Sequence, residues 1–447
     1  MRARARRATF SACLARQPRS CTLWPSRIPR ARAALRDLAA TADMTSFFGW
    51  KVVAAAFTAA LFGWGISFYG PPVFLQALHS RTGWPVSVIS SAITFHFIAS
   101  AVFVGWLGGS FLRRGAVAMV RLGAVALAVG AIGWSLAQEP WHLFVAALST
   151  GLGMALTTGV AVNAIVTPWF DRRRATALSL AFNGASVGGV VFTPLWAVLI
   201  DALGFVGAAA AIAVITVLVL WPMAGTILGE TPQSRGQHPD GVARPPAGES
   251  ASRAAPRNRR ALLADGRFIT LTGAYTLALF AQVGLIAHFV AALAPALGGT
   301  GAAVALSFAT ICAVAGRFAW TPFLERRDRR VAGALNLGLQ AIGIAMLALA
   351  LDGSWPLLLA GCVLFGLGIG NLVSLPPLIA QSDFAPSDVP QVVALSTAIF
   401  QIVFAFGPGT LGAVRDWSGG YPAAFAIVVA LYLAAALILL AGKLRRS

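Results

Sequence analysis

Apolar runs of about 18 to 28 residues recur along this chain, separated by short polar breaks. A helix needs about 20 apolar residues to cross a bilayer core. The pattern predicts twelve such helices, over 50–78, 86–109, 115–137, 141–165, 174–199, 204–228, 268–294, 301–322, 331–350, 355–380, 390–412 and 421–442. Hydrocarbon cannot satisfy free backbone groups, so each long run reads as a helix. A membrane β-barrel would need alternating segments of about ten residues, and this sequence has no such alternation. The longest polar stretch, 229–266, follows the sixth run and is rich in Pro, Gly, Ser and Arg. It reads as a flexible linker between halves at 44–228 and 267–447.

The two halves repeat one another at an offset near 214. Gly151–Met154 (GLGM) answers Gly366–Ile369 (GLGI), and Arg113-Arg114 answers Arg326-Arg327. Pro194 answers Pro408, and Asp201 answers Asp416. Each pair is weak evidence alone, but the four share one offset. The expected fold class is an all-α membrane protein with twelve transmembrane helices in two six-helix parallel repeats.

Composition agrees with a membrane setting. Of 447 residues, 58% are hydrophobic and 11% charged, where a soluble domain carries about 25% charged residues. The net charge of +19 raises nucleic acid as a partner. The arginines, however, fall in short runs between apolar segments, with no basic helix interleaved with stacking aromatics, so no nucleic acid is expected. Their placement fixes an orientation instead. If both termini are cytoplasmic, 29 Lys and Arg lie on the inside and only Arg81 and Arg415 outside. Positive charge resists translocation, so this is the predicted topology. The lipid bilayer is one partner, and the expected location is a cell inner membrane, multi-pass. Residues 1–43 hold ten arginines and no apolar run. This basic tail resembles a mitochondrial presequence but also fits an over-long start, with translation beginning at Met44. Cys13, Cys21, Cys312 and Cys362 avoid the predicted external loops, so no disulfide framework is implied. No cluster has metal-ligand spacing, and neither metal nor cofactor is expected.

Motifs in the first half carry a resemblance. Between the fourth and fifth runs stands Trp169-Phe170-Asp171-Arg172-Arg173-Arg174, followed by Ala177, Ala181, Gly184 and Gly188. The first run holds Gly63-Trp64-Gly65 and Tyr69-Gly70-Pro71-Pro72. Over roughly 50–442 the sequence resembles the major facilitator superfamily, and within it the monocarboxylate transporters and oxalate–formate antiporters. In that family Trp169, Phe170, Arg172, Arg173, Arg174, Gly184 and Gly188 form a motif with a structural logic. Arginines hold the cytoplasmic end, and small residues four apart let a neighbouring helix approach. The chain also departs from the family. Pro72 stands where a lysine commonly follows Pro71, Gly109 stands where an aspartate is usual after Gly105 and Leu107, Ala313 replaces an acid, and Gln401 lies in an eleventh span without lysine. The resemblance places a substrate-binding arginine at Arg317 and has the first, fourth, seventh and tenth spans line the cavity. That favours Tyr69, Asn163, Gln282 and Asn371 as substrate-binding residues.

An arginine inside a span costs about 2.5–3.5 kcal/mol on insertion scales and is a functional candidate by default. Arg121 and Arg317 qualify. Arg121 lies within two turns of its span's end and can snorkel, whereas Arg317 lies deeper. No acid stands within an apolar run, so the cation deep in its span favours an anionic ligand, and a guanidinium suits a carboxylate. His96 and His288 are the histidines inside apolar runs and are candidate proton carriers; each is also readable as a hydrogen-bonded packing residue. The expected function is a monomeric secondary active or facilitative carrier of small organic anions, mono- or dicarboxylates, by alternating access. An efflux carrier for hydrophobic or cationic compounds is the alternative. An enzyme is not expected, since no nucleophile–base spacing or phosphate loop is present.

Overall fold

The structure, a computed structural model, describes residues 47–107, 110–241, 258–351 and 353–444. The basic tail, Gly109, the middle of the 229–266 segment and the C-terminal Arg445 and Arg446 lie outside the described residues. Among the described residues every regular element is helical. Ten helices are long and apolar enough to cross a bilayer. Two of these, Arg174–Ile227 and Gly266–Trp320, are of double length, and each breaks at a glycine with φ near +70°: Gly204 at 69° and Gly298 at 71°. Each holds two spans, so the ten helices make twelve crossings. In chain order the spans are Gly49–Thr82, Val86–Trp106, Arg113–Leu136, Pro140–Trp169, 174–203, 205–227, 266–297, 299–320, Arg329–Leu349, Trp355–Asp383, Val389–Ser418 and Pro422–Lys443. The described residues from 49 to 444 form one compact unit.

The repeat seen in the sequence is a repeat of packing. Left-handed glycines end the first and seventh spans (Gly83, Gly298) and the fifth and eleventh (Gly204, Gly419). Only glycine adopts this conformation without steric cost. The GLG tripeptides do matching work in each half. A Cβ on Gly151 would lie 2.8 Å from the His96 carbonyl of the second span, and one on Gly366 would strike the Ala309 carbonyl of the eighth at 2.5 Å. The second glycines face the next neighbours, Gly153 against Leu127 of the third span and Gly368 against Gln340 of the ninth. Small residues buy this close approach in lipid, where helices are not driven together by exclusion from water. Just beyond each tripeptide the helix breaks, at Thr158 in the fourth span and at Gly370 in the tenth. The first span breaks likewise between Ser67 and Gly70. In the fifth span, Gly184 and Gly188 lie against the Phe57 and Leu61 carbonyls of the first.

The motif between the fourth and fifth spans is half core and half clasp. Trp169 and Phe170 are buried, and Phe170 meets Trp50 edge-on at 5.0 Å. Arg174 donates to the Phe170 carbonyl at 3.0 Å. The backbone N–H groups of Asp171, Arg172 and Arg173 all donate to the carboxylate of Asp240, at 3.1, 2.7 and 3.2 Å. The described part of the 229–266 segment is therefore tied down at this point. Glu230 nearby is held below the usual carboxylate range by hydrogen bonds from Arg235 and Ser234.

One arginine of the basic runs is not solvated. Arg330 belongs to a run that looks like a solvated cytoplasmic loop, yet it is fully buried, with Asp383 of the tenth span at 2.7 Å. Its remaining donors reach Thr270 Oγ1 at 3.0 Å and the Arg267 carbonyl at 2.8 Å, both in the seventh span. The Leu439 carbonyl of the twelfth span is at 3.4 Å. A buried guanidinium is tolerated because its charge and its N–H groups are met together. Arg330, rather than Arg121 or Arg317, is the most deeply buried arginine among the described residues. Arg121 stacks on Trp221 of the sixth span at 4.9 Å and donates to that residue's carbonyl at 3.2 Å.

Candidate functional site

The two halves meet on the face opposite the linker. There Asp416, at the end of the eleventh span, accepts the Ser87 backbone N–H at the start of the second, at 2.7 Å. Asp201, at the end of the fifth span, accepts the hydroxyl of Thr300 at the start of the eighth. These are the two aspartates that answer one another in the sequence repeat, so the same contact is made twice, related by the pseudo-twofold. Thr94 accepts the Gly409 N–H at 2.9 Å, and Ser307 donates to the Val190 carbonyl at 2.7 Å. Ser90 lies buried directly beneath Gly412.

On the linker side of these contacts a cavity of about 310 Å³ lies between the halves. The first, second, fourth and fifth spans wall one side, and the seventh, tenth and eleventh wall the other. Five aromatic residues line it: Trp64, Phe97 and Phe182 from one half, Phe400 and Phe404 from the other. Phe97 and Phe404 meet edge-on across the halves at 5.9 Å. Its polar groups are the hydroxyls of Ser100, Thr158, Ser396 and Thr397 and the amide of Gln401; among the described residues no charged side chain lines it. The bundle is thus closed on one face, with the cavity toward the other.

The deep arginine sits beside this cavity. Arg317, half-buried in the eighth span, lays its stem across the break of the tenth, where a Cβ on Gly370 would stand 2.6 Å from its Nε. Leu372 and Val373, the next turn of that helix, belong to the cavity wall. From the other half comes Tyr69, within the break of the first span and packed on Gly189. Its hydroxyl faces the Thr310 side chain, two turns from Arg317 on the same helix, and lies within electrostatic reach of the guanidinium. Tyr69, from one half, thus faces the span of the other half that carries Arg317.

The other expected site residues are not gathered there. Asn371 is buried next to Gly370, its amide bonded to the Leu367 carbonyl at 3.2 Å. Gln282 is buried in the seventh span, with its Oε1 making no hydrogen bond. Asn163 is exposed and bonded to the Gly159 carbonyl; it faces a groove with Arg114 and Arg174 on the linker side of the first half. The cavity wall itself comes from residues that carry no charge and so left little signal. Gln401 and the pattern of aromatic residues are the only marks, and aromatics in spans are ordinary core.

Both histidines are buried. His288 faces the Pro408 carbonyl through Nε2 at 2.9 Å and the Tyr421 hydroxyl through Nδ1 at 3.2 Å. A carbonyl only accepts, so Nε2 carries the proton. His96 Nδ1 lies 2.9 Å from Thr150 Oγ1. That hydroxyl also lies 3.2 Å from the Ala146 and Ala147 carbonyls and accepts from Trp134 at 3.3 Å. His96 Nε2 makes no hydrogen bond.

Twelve spans in two repeated halves, closed on one face around a central cavity, define a polytopic carrier rather than an enzyme. Residues 52–408 match the family model of the Major Facilitator Superfamily, and the chain belongs to that family. Monocarboxylate transporter 11 of Homo sapiens is 27% identical over 409 residues, covering 88% of this chain and 82% of that one. Monocarboxylate transporter 13 of Bos taurus is 27% identical over 413 residues, covering 88% and 89%. Among solved structures, the nucleoside transporter NupG superposes with a TM-score of 0.66 at 12% identity, over 88% of this chain and 99% of that one. A bacterial homolog of the human lysosomal transporter Spinster, inward-facing and unoccupied, superposes at 0.60 and 16% identity, over 88% and 95%. At such identities these two show the fold alone.

Proposed function

We propose that this protein is a secondary carrier of small organic anions, mono- or dicarboxylates, working by alternating access as a monomer. It sits in a cell inner membrane with both termini and the linker cytoplasmic, which makes the described state inward-facing. The observation that carries the reading is Arg317. It lies at the seam of the halves, against a helix break and beside Tyr69, where rocking of one half against the other changes its surroundings. The guanidinium offers a carboxylate two parallel hydrogen bonds. The relatives named monocarboxylate transporters favour the same class. His96, with its bare Nε2, is the better placed of the two histidines to take up a coupling proton.

The test measures carboxylate affinity and folded yield on the same purified variants. Arg317→Ala removes bonds of about 1.5–3 kcal/mol each and abolishes binding while the protein still folds. Arg317→Lys keeps the charge, loses the planar fork and weakens binding. Unchanged affinity in folded Arg317→Ala ends the anion reading and returns the residue to a structural role.

A further inference from the structure

We propose, resting on the anion reading above, that the substrate is amphipathic: one anionic head joined to an aromatic or branched aliphatic body, rather than a two- or three-carbon acid. The cavity between the halves is the reason. Its volume of about 310 Å³ falls at the lower end of the range for sites that enclose whole small molecules, ~300–1,000 Å³. Its wall is made for a ring or a branched chain. Phe97 and Phe404 approach it from opposite halves, and Trp64, Phe182 and Phe400 complete an aromatic collar. Aromatic faces and edges favour offset or edge-on contact with another ring.

The polar groups are placed for the rest of such a molecule. Thr158 lies at the break of the fourth span, and Ser396, Thr397 and Gln401 follow one face of the eleventh. Thr158 and Ser396 donate their hydroxyl protons to the Met154 and Val393 carbonyls and can accept from a hydroxy group, while Thr397 and the Gln401 amide can donate to a keto oxygen. They supply no charge, so an ionised head has its counter-ion outside this collar. Arg317 is the cation we assign to it: it crosses the tenth span at Gly370, one turn from the wall residues Leu372 and Val373. The body thus occupies the collar and the head points past the helix break toward Arg317 and Tyr69. A short acid held at Arg317 would leave the collar filled only by water against apolar rings, which gains nothing.

The experiment compares ligands that differ in one feature, using the full chain purified in detergent and titration calorimetry. The probes are propionate, 4-methylpentanoate, 3-phenylpropionate and 3-phenylpropionamide. The expected result is that 3-phenylpropionate and 4-methylpentanoate bind at least tenfold more tightly than propionate, and that the amide binds far more weakly than the acid. Thr397→Trp fills the collar and removes the advantage of the larger acids over propionate. Phe400→Ala reduces the same advantage without touching the charged end. If propionate binds as tightly as 3-phenylpropionate, the amphipathic inference is overturned while the anion reading stands. If the amide binds as tightly as the acid, the anion reading falls instead, and the collar belongs to a carrier of uncharged compounds. If no probe binds to folded protein, both are overturned.

Discussion

Removing the Asp416 carboxylate should tip the carrier toward the state in which the face opposite the linker is open. The carboxylate accepts the Ser87 N–H at 2.7 Å, and the Ser87 hydroxyl also faces it. Ser87 lies in the first turn of the second span, where backbone N–H groups lack intrahelical partners. A hydrogen bond to a charged group contributes about 1.5–3 kcal/mol, and a carboxylate at a helix N-terminus adds about 0.3–1. Asp416 is partly exposed, its side chain at 22%, so the lower values apply, giving ~2 kcal/mol. The Arg415–Asp416 pair at 2.9 Å joins sequence neighbours and persists in both states, so it cancels. Since about 1.4 kcal/mol is tenfold, Asp416→Ala should enrich the opened state roughly 30-fold, and Asp416→Asn, which keeps an acceptor, by less. The assay is thiol labelling of a single Ser90→Cys in a cysteine-free background. Ser90 is fully buried under Gly412 in the closed face, so its labelling rate reports opening. Asp201→Ala, at the symmetry-related contact with Thr300, should raise the rate in the same direction and by a smaller factor, because Asp201 is exposed. A labelling rate unchanged in both variants, with native yield, would show that these carboxylates do not hold the face shut.

The buried Arg330–Asp383 pair makes an opposite kind of prediction. Asp383→Leu leaves the guanidinium uncompensated and should cost about 3–5 kcal/mol, whereas Arg330→Met with Asp383→Leu should recover most of the loss; melting midpoints that are equal for wild type and the single variant would count against it. Gly316→Val should prevent proper folding, because its Cβ would overlap the Leu367 backbone, while Gly105→Ala, which meets nothing within 4 Å, should be neutral; fluorescence size-exclusion profiles distinguish the two. Protease should cut the 229–266 segment from the same membrane face on which a C-terminal tag is accessible, in inverted vesicles and not in right-side-out ones. Cutting from the other face would invert the proposed topology.

The sequence by itself determined the number of spans and the kinship of the halves, because lipid imposes length and hydropathy on every crossing helix and close packing imposes glycine. Gly151, Gly153, Gly366 and Gly368 were legible as a repeat for that reason, and their partners His96, Ala309, Leu127 and Gln340 follow the same symmetry. The aspartates Asp201 and Asp416 were likewise paired by offset, but nothing in the offset said that each would bind the opposite half. What only the tertiary structure decided was the environment of individual polar residues. Arg330 reads as one more charge in a solvated run, and becomes core only because Asp383, Thr270 and the Arg267 carbonyl converge on it from the seventh and tenth spans. Asn163 lies on an expected cavity-lining span yet faces a linker-side groove, because the fourth span breaks at Thr158 before reaching it. The cavity draws its rings from the second, fifth and eleventh spans as well as the first. In a bilayer every face of a helix is apolar, so hydropathy carries no mark of which face meets lipid, a neighbour or an open cavity. That choice is made by crossing geometry and by where each helix breaks.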